Sequence, residues 1–280
     1  MKKIYPKTDS QFRGIRFLKK YIDKSKGVEI QLLDYNKKKN VIEIEETIES
    51  LLHISPNIKE VTIHLPNKIC PIEFLALKGI DFIKPLLEDA KRLSIEHEIK
   101  INFLFHVYYE IELIKMTMLP FINDMLNIIK GYNVMILLEN TYIVKNDKGV
   151  TAPIDICKFI GNKQLKACID ICHLHCSCNM HKKDIKEFVK SNFNKTISNK
   201  YVYQVHFSAT LNNRGYFDLE NTHGRKHETR VSLEEEIKIL KDMGIEDKIF
   251  ITEISEEDYN TRKEQIEEIE MLEDISQLLK

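Results

Sequence analysis

The stretch 165–176, LKACIDICHLHC, decides the fold. Leu165 to Ile171 form a short apolar run interrupted by one acid, Asp170. A run of that length between turn signals reads as a fully buried parallel strand. A carboxylate at the end of such a strand needs a partner, since burying an unpaired charge is costly. His173 follows three residues later, where the spacing predicts that the strand gives way to a loop, so the two side chains can converge at the mouth of a sheet. Taken alone, the pair allows two readings. It is a metal site or acid/base pair, or it is a buried Asp held by backbone amides with a histidine as its hydrogen-bond partner.

The recurrence of the arrangement along the chain favours the first. Helix-like and strand-like segments alternate: a helix over 12–25, a strand at GVEIQLLDY (27–35), a helix over 41–54, and VTIHLP (61–66) ending near His64. A helix over 79–98 leads to INFLFHVYY (101–109) with His106, and one over 111–130 to VMILLEN (134–140) with Glu139. A short helix over 153–160 precedes the Asp170 strand. A helix over 181–193 then leads to VYQVHFSAT (202–210) with His206, and one over 231–243, ended by Gly244, to KIFITEIS (248–255) with Glu253. A charged amphipathic helix over 261–279 closes the chain. Seven strands are clear, and KKIYP (2–6) can supply an eighth.

Strands alternating with helices imply right-handed βαβ crossovers and a parallel sheet. From His64 the steps to His106, Glu139, Asp170, His206 and Glu253 are 42, 33, 31, 36 and 47 residues, close to one βα unit of about 30 or more residues. In a single-domain (β/α)8 barrel over 1–280 those strand ends face one another around the mouth, and six residues become one cluster. With nine glycines in the chain and no glycine-rich phosphate fingerprint after any strand, a nucleotide-binding open sheet is disfavoured. Singly, His64 can be a capped strand-end histidine, His106 one packed beside Tyr108 and Tyr109, and Glu139 a helix-capping acid. Six coincidences at equivalent positions are harder to explain that way. His53, His97 and His181 fall in or at the ends of helical segments and are assigned to solvent or packing.

Composition excludes little beyond this. The chain of 280 residues is 43% hydrophobic, with 42 Lys+Arg against 43 Asp+Glu and a net charge of −1. There is no global pull toward nucleic acid or membrane, so a polyanion would need a local patch. Neither a signal peptide nor a membrane-spanning run is expected, and the chain reads as cytoplasmic. The six cysteines do not form the evenly spread framework of a secreted protein. Cys172, Cys176 and Cys178 lie among His173, His175 and His181, yet lack the paired C-x2-C spacing of a structural zinc site; Cys168 and Cys172 read as small apolar side chains beside the strand. Imidazole and carboxylate without thiolate suit catalytic zinc, manganese or iron.

The ordered motifs IHLP (63–66), FLFH (103–106), LLEN (137–140), CIDICH (168–173), QVHFS (204–208), NTH (221–223) and ITEI (251–254) resemble those of the endonuclease IV group, AP endonuclease family 2, within the xylose-isomerase-like barrels. The resemblance covers roughly residues 12–280 and implies a barrel whose three-zinc cluster cleaves DNA 5′ to an abasic site. Carried over by position, it implies metal ligands at His64, His106, Glu139, Asp170, His173, His206, His223 and Glu253, with Glu139 bridging. Three departures stand out. Asn221 replaces an Asp, His227-Glu228-Thr229 replaces Gly-Glu-Gly, and Asn67 replaces a Tyr that wedges into the duplex. His227 is a substitute ligand or a space filler, and Lys37, Lys38 and Lys39 stand where a DNA-contacting loop would be, or form a solvated loop. Two function classes follow: a phosphodiesterase with two or three Zn2+ ions, Mn2+ being an alternative, acting on abasic DNA; and a sugar isomerase or epimerase with one ion, in which Glu139 and Glu253 are the catalytic acids that move the proton. A barrel that has kept its ligands without catalysis is a third.

Overall fold

Pro6 decides how the sheet closes. Lacking an N–H, it interrupts the ladder and splits one pass of chain into β1 (Ile4–Tyr5) and β2 (Lys7–Asp9). In the computed structural model, which describes residues 3–33, 44–66, 69–108, 118–141, 147–207, 232–254, 256 and 258–278, the two halves pair in opposite directions across the sheet. β2 lies parallel to β3 (Gly27–Gln31), with Lys7 opposite Glu29, and the Pro6 carbonyl accepts from Glu29 N at 3.0 Å. β1 lies parallel to β9 (Ile249–Thr252), with Tyr5 opposite Ile251. Between them run β4 (Glu60–His64), β5 (Lys100–Val107), β6 (Val134–Asn140), β7 (Leu165–Asp170) and β8 (Val202–Phe207), all parallel. The order β1-β9-β8-β7-β6-β5-β4-β3-β2 brings the last strand back to the first pass. The result is a (β/α)8 barrel ringed by helices, as the alternation predicts.

Side chains alternate across each strand. Outward residues such as Ile63, Phe103, Leu138, Ile169 and Val205 enter the main core beneath the helices. Inward ones split into two layers. Leu104, Leu137 and Cys168 form a small apolar plug, and around it lies a polar set. Asn102 donates to Glu60 and Thr62, Thr62 to Gln204, and Gln204 to Glu29, at 2.7–3.2 Å. Tyr5 crosses the face of Gly27, where a Cβ would stand 2.2 Å from its ring, so only glycine permits that packing.

The structure corrects several expectations. No loop follows Asp170: Ile171–Met180 is a helix, and helices at Ile72–Lys78 and Lys195–Tyr201 are additional. The helix expected over 181–193 is Ile185–Asn192, and the one over 111–130 is Leu119–Ile129, with 111–117 outside the described residues. Of the strands expected over 27–35, 101–109, 202–210 and 248–255, the described parts are Gly27–Gln31, Lys100–Val107, Val202–Phe207 and Ile249–Thr252; residues 34–35, 109, 208–210 and 255 lie outside the described residues. No helix among the described residues is long and apolar enough to cross a membrane.

Candidate metal centre

Glu139, near the end of β6, stands in register with His106 on β5 and is fully buried. Its two oxygens face different partners. Oε2 lies 3.2 Å from His106 Nε2 and 3.8 Å from His64 Nε2. Oε1 lies 3.3 Å from His206 Nδ1 and 3.6 Å from His173 Nδ1. Asp170, in register with His206 on β8, has its own two oxygens divided. Oδ1 accepts from His173 N at 2.6 Å and caps the helix Ile171–Met180, an N-cap of the ordinary kind. Oδ2 faces His206 Nδ1 at 3.8 Å. Oδ1 thus serves the hydrogen-bonded reading of the Asp170–His173 pair, while Oδ2 is turned toward the other acids and rings. Glu253, just past β9, contacts His206 Nδ1 through Oε2.

Backbone and second carboxylates set the rings. His64 Nδ1 meets the Leu65 carbonyl at 2.9 Å and His173 Nδ1 the Asn140 carbonyl at 2.8 Å. A carbonyl only accepts, so both Nδ1 atoms carry the proton and, in the neutral rings, Nε2 holds the lone pair. For His206 the outer partner is Glu29 Oε2, 2.9 Å from Nε2, which leaves Nδ1 facing the acids. Such outer hydrogen bonds orient ring nitrogens toward a metal. Asn140 is a further support: its side chain accepts from Asp170 N at 2.8 Å and donates to Asp170 O at 3.0 Å. Asn140→Ala removes both bonds and leaves buried backbone groups unpaired; the expected result is a loss of metal affinity of about 10–100-fold, measured by chelator competition.

Several polar atoms here are buried without a hydrogen bond of ordinary geometry: both oxygens of Glu139, Asp170 Oδ2 and His206 Nδ1. Buried acceptors of this density call for a cation. Glu139, Asp170, His206 and Glu253 offer ligand atoms all within 4.8 Å of one another, and His64, His106 and Cys70 do the same. The donor set therefore fits divalent ions. Charges already shift to match. Burial alone would push Glu139 up, but His206 and His106 hold it well below its ordinary range. Burial would push His106 down, yet Cys70 and Glu139 hold it well above. His206 is likewise held up, against burial, by Cys168, Glu29, Glu139 and Glu253.

The structure brings together His64, His106, Glu139, Asp170, His173, His206 and Glu253. His223, Lys37, Lys38, Lys39, Asn67, Asn221 and His227 lie outside the described residues. Four neighbours escaped the sequence reading: Lys7, Glu29, Asn140 and Cys70. Cys70 lies 4.0 Å from His64 Nδ1, and although burial would raise its thiol, His106 and His64 bring it down to about 6. The zinc reading of Cys172, Cys176 and Cys178 finds no support: their cysteines are buried and none belongs to a converging ligand group among the described residues.

Comparison with known proteins comes to the same barrel. The family profile described as Xylose isomerase-like TIM barrel matches residues 31–275. Among solved structures, the probable 3-DHS dehydratase AsbF of Bacillus anthracis, involved in petrobactin synthesis, is 15% identical, with a TM-score of 0.59 over 98% of this chain and 99% of that one. The IOLI protein with a binding zinc atom is 14% identical, TM-score 0.61, over 97% and 96%. AsfvAP:AG is 16% identical, TM-score 0.60, over 100% and 99%. At such identities the likeness shows the fold alone. A search of curated protein sequences returns no match.

Proposed function

The chain belongs to the xylose isomerase-like TIM barrel family, and from that premise we propose that it is a metal-dependent phosphodiesterase that cleaves DNA at abasic sites with two or three divalent ions, zinc foremost. One observation carries the reading. Glu139 presents one oxygen to the Nε2 atoms of His64 and His106 and the other to His206 Nδ1, the arrangement of a carboxylate shared between two ions. A single-ion isomerase has no need of His64 and His106 as ligands. The abundance of imidazole favours zinc over magnesium or calcium.

In this reading His64 and His106 hold one ion with Glu139, and Asp170, His206 and Glu253 hold a second with it. His173 and His223 would complete a third, where Asn221 would offer an amide in place of the carboxylate of the resembling family. Bound ions would lower the pKa of a water and neutralise charge developing on phosphorus. The chain supplies the rest. Glu29 and the Leu65 and Asn140 carbonyls fix ring orientation, and the apolar plug at Leu104, Leu137 and Cys168 closes the barrel below the ligands. The Tyr that wedges into the duplex in the resembling family is replaced by Asn67, so any hold on DNA would fall to other residues, Lys37, Lys38 and Lys39 among them.

A sugar isomerase or epimerase is the second reading, favoured by a different observation: Glu139, Asp170, His206 and Glu253 converge as a complete four-ligand set by themselves. Glu139 and Glu253 would then serve the proton transfer. Metal analysis of the purified protein, with assays on an abasic duplex and a panel of ketoses, separates the two. Two or three equivalents with strand cleavage support the phosphodiesterase; one equivalent with sugar interconversion supports the isomerase. Asn221→Asp, which restores a full negative charge beside divalent cations, is expected to raise metal occupancy and cleavage, and His223→Ala to lower both. If Asn221→Asp gains neither while the wild type interconverts a ketose, the isomerase reading replaces the first.

A further inference from the structure

A lysine stands inside the centre. Lys7 projects inward from β2, with its side chain 11% exposed, and its Nζ lies 2.6 Å from Glu253 Oε1 and 2.9 Å from Glu29 Oε1. The far oxygens of the same two acids flank opposite nitrogens of one ring: Glu29 Oε2 faces His206 Nε2 at 2.9 Å, and Glu253 Oε2 contacts His206 Nδ1. Lys7, Glu29, His206 and Glu253 thus form a closed ring of alternating cationic and anionic character. A buried ammonium persists only when paired, and this one is paired twice.

We propose that Lys7 is a resident cation of the metal centre: it occupies the outer edge of Glu253, leaves that carboxylate one oxygen for a divalent ion, and so weakens and limits metal binding at the His206 side. The inference rests on the metal reading above. Its physical content is a competition. Glu29, Glu139, Asp170 and Glu253 crowd around His206, and each positive charge already present lowers the attraction for the next. Lys7 also ties Glu253 to Glu29, by a charge-assisted hydrogen bond to Glu253 Oε1 and an ion pair with Glu29 Oε1, so the Glu253 carboxylate cannot turn to chelate through both oxygens without giving up its partner. Lys7 is therefore a positioning residue: it acts on the ions through Glu253 and Glu29.

A lysine that merely holds the barrel together would, on removal, weaken metal binding or leave it unchanged. The competition predicts a gain. Zn2+ titrated into metal-free wild type, Lys7→Met and Lys7→Arg, with a chromophoric chelator as competitor, reads the dissociation constant directly. The expected result is tightening of about tenfold or more in Lys7→Met, with Lys7→Arg near wild type because the charge remains. Co2+ loading should report a changed coordination spectrum in Lys7→Met, as Glu253 becomes able to use both oxygens. Should Lys7→Met fail to fold, Lys7→Gln, whose amide keeps one hydrogen bond but no charge, carries the same expectation. Binding by the wild type without tightening in the neutral variant overturns the role of Lys7 alone. Absence of Zn2+ binding by every protein overturns the metal reading and this inference together.

Discussion

Glu139→Gln is expected to lose metal and activity together while the barrel stays folded. The two oxygens of Glu139 serve opposite sides, at 3.2 Å from His106 and 3.3 Å from His206, and neither has an ordinary hydrogen bond. The amide keeps the shape but removes the charge, and it turns one acceptor into an N–H2 group pointing at imidazoles or cations. Loss of metal-derived charge stabilisation amounts to several kcal/mol, which is about 10³-fold or more in kcat. Stability should fall far less, because Leu137 and Leu138 on either face of the strand keep their packing. Metal analysis and circular dichroism of the variant, beside a cleavage assay, test this. Unchanged metal content would remove Glu139 from the bridging role.

What could be read from the chain, and what could not, divides along physical lines. VMILLEN was legible to the residue, because β6 spans Val134–Asn140 as one apolar run set off from its helices by Gly131 and Asn140. The strand-end rule placed His64, His106, Glu139, Asp170, His206 and Glu253 around one mouth since a parallel barrel gives every strand the same polarity. The inward staves were hidden. In strands covered on both sides, period two carries no label for which face is inner, so Glu29 and Gln204 looked like ordinary strand polars. Lys7 was concealed further by Pro6, where the eighth strand expected at KKIYP (2–6) ended one residue short of it. The helix Ile171–Met180 was missed for a related reason. It is buried from Ile171 through Cys178, and with no wet face there is no polar stripe to reveal a period of 3.6.

Chelation should destabilise the protein in a strongly pH-dependent manner, and the sign follows from the shifts. His106 and His206 sit well above their ordinary value of 6.5 in the folded chain. Their stabilising protonation is fully present below that value and is lost as pH rises through the raised folded values. Glu139 is held well below its ordinary value of 4.5, and Glu29 is brought to about 2 against burial, chiefly by His206 and Lys7. Their contribution is present above the ordinary value and is lost as pH falls through the depressed one. The metal-free chain is therefore most stable between the two ordinary values and weakens on the alkaline side, where the acids face one another without ring protons. Divalent ions take over in that range, because ligands bind metal only when deprotonated and loading expels the protons. Metal at about a thousand times its dissociation constant adds about 4 kcal/mol, which for a chain of this length raises Tm by roughly 10 °C. Thermal melts with EDTA and with Zn2+ should thus differ by roughly that amount at pH 8.5 and by well under half of it at pH 6. Calorimetric titration at pH 7 in buffers of different ionisation enthalpy should show about two protons released, one each from His106 and His206. A metal-dependent shift that is flat in pH, with no protons released, would mean that these rings do not share their nitrogens with a metal.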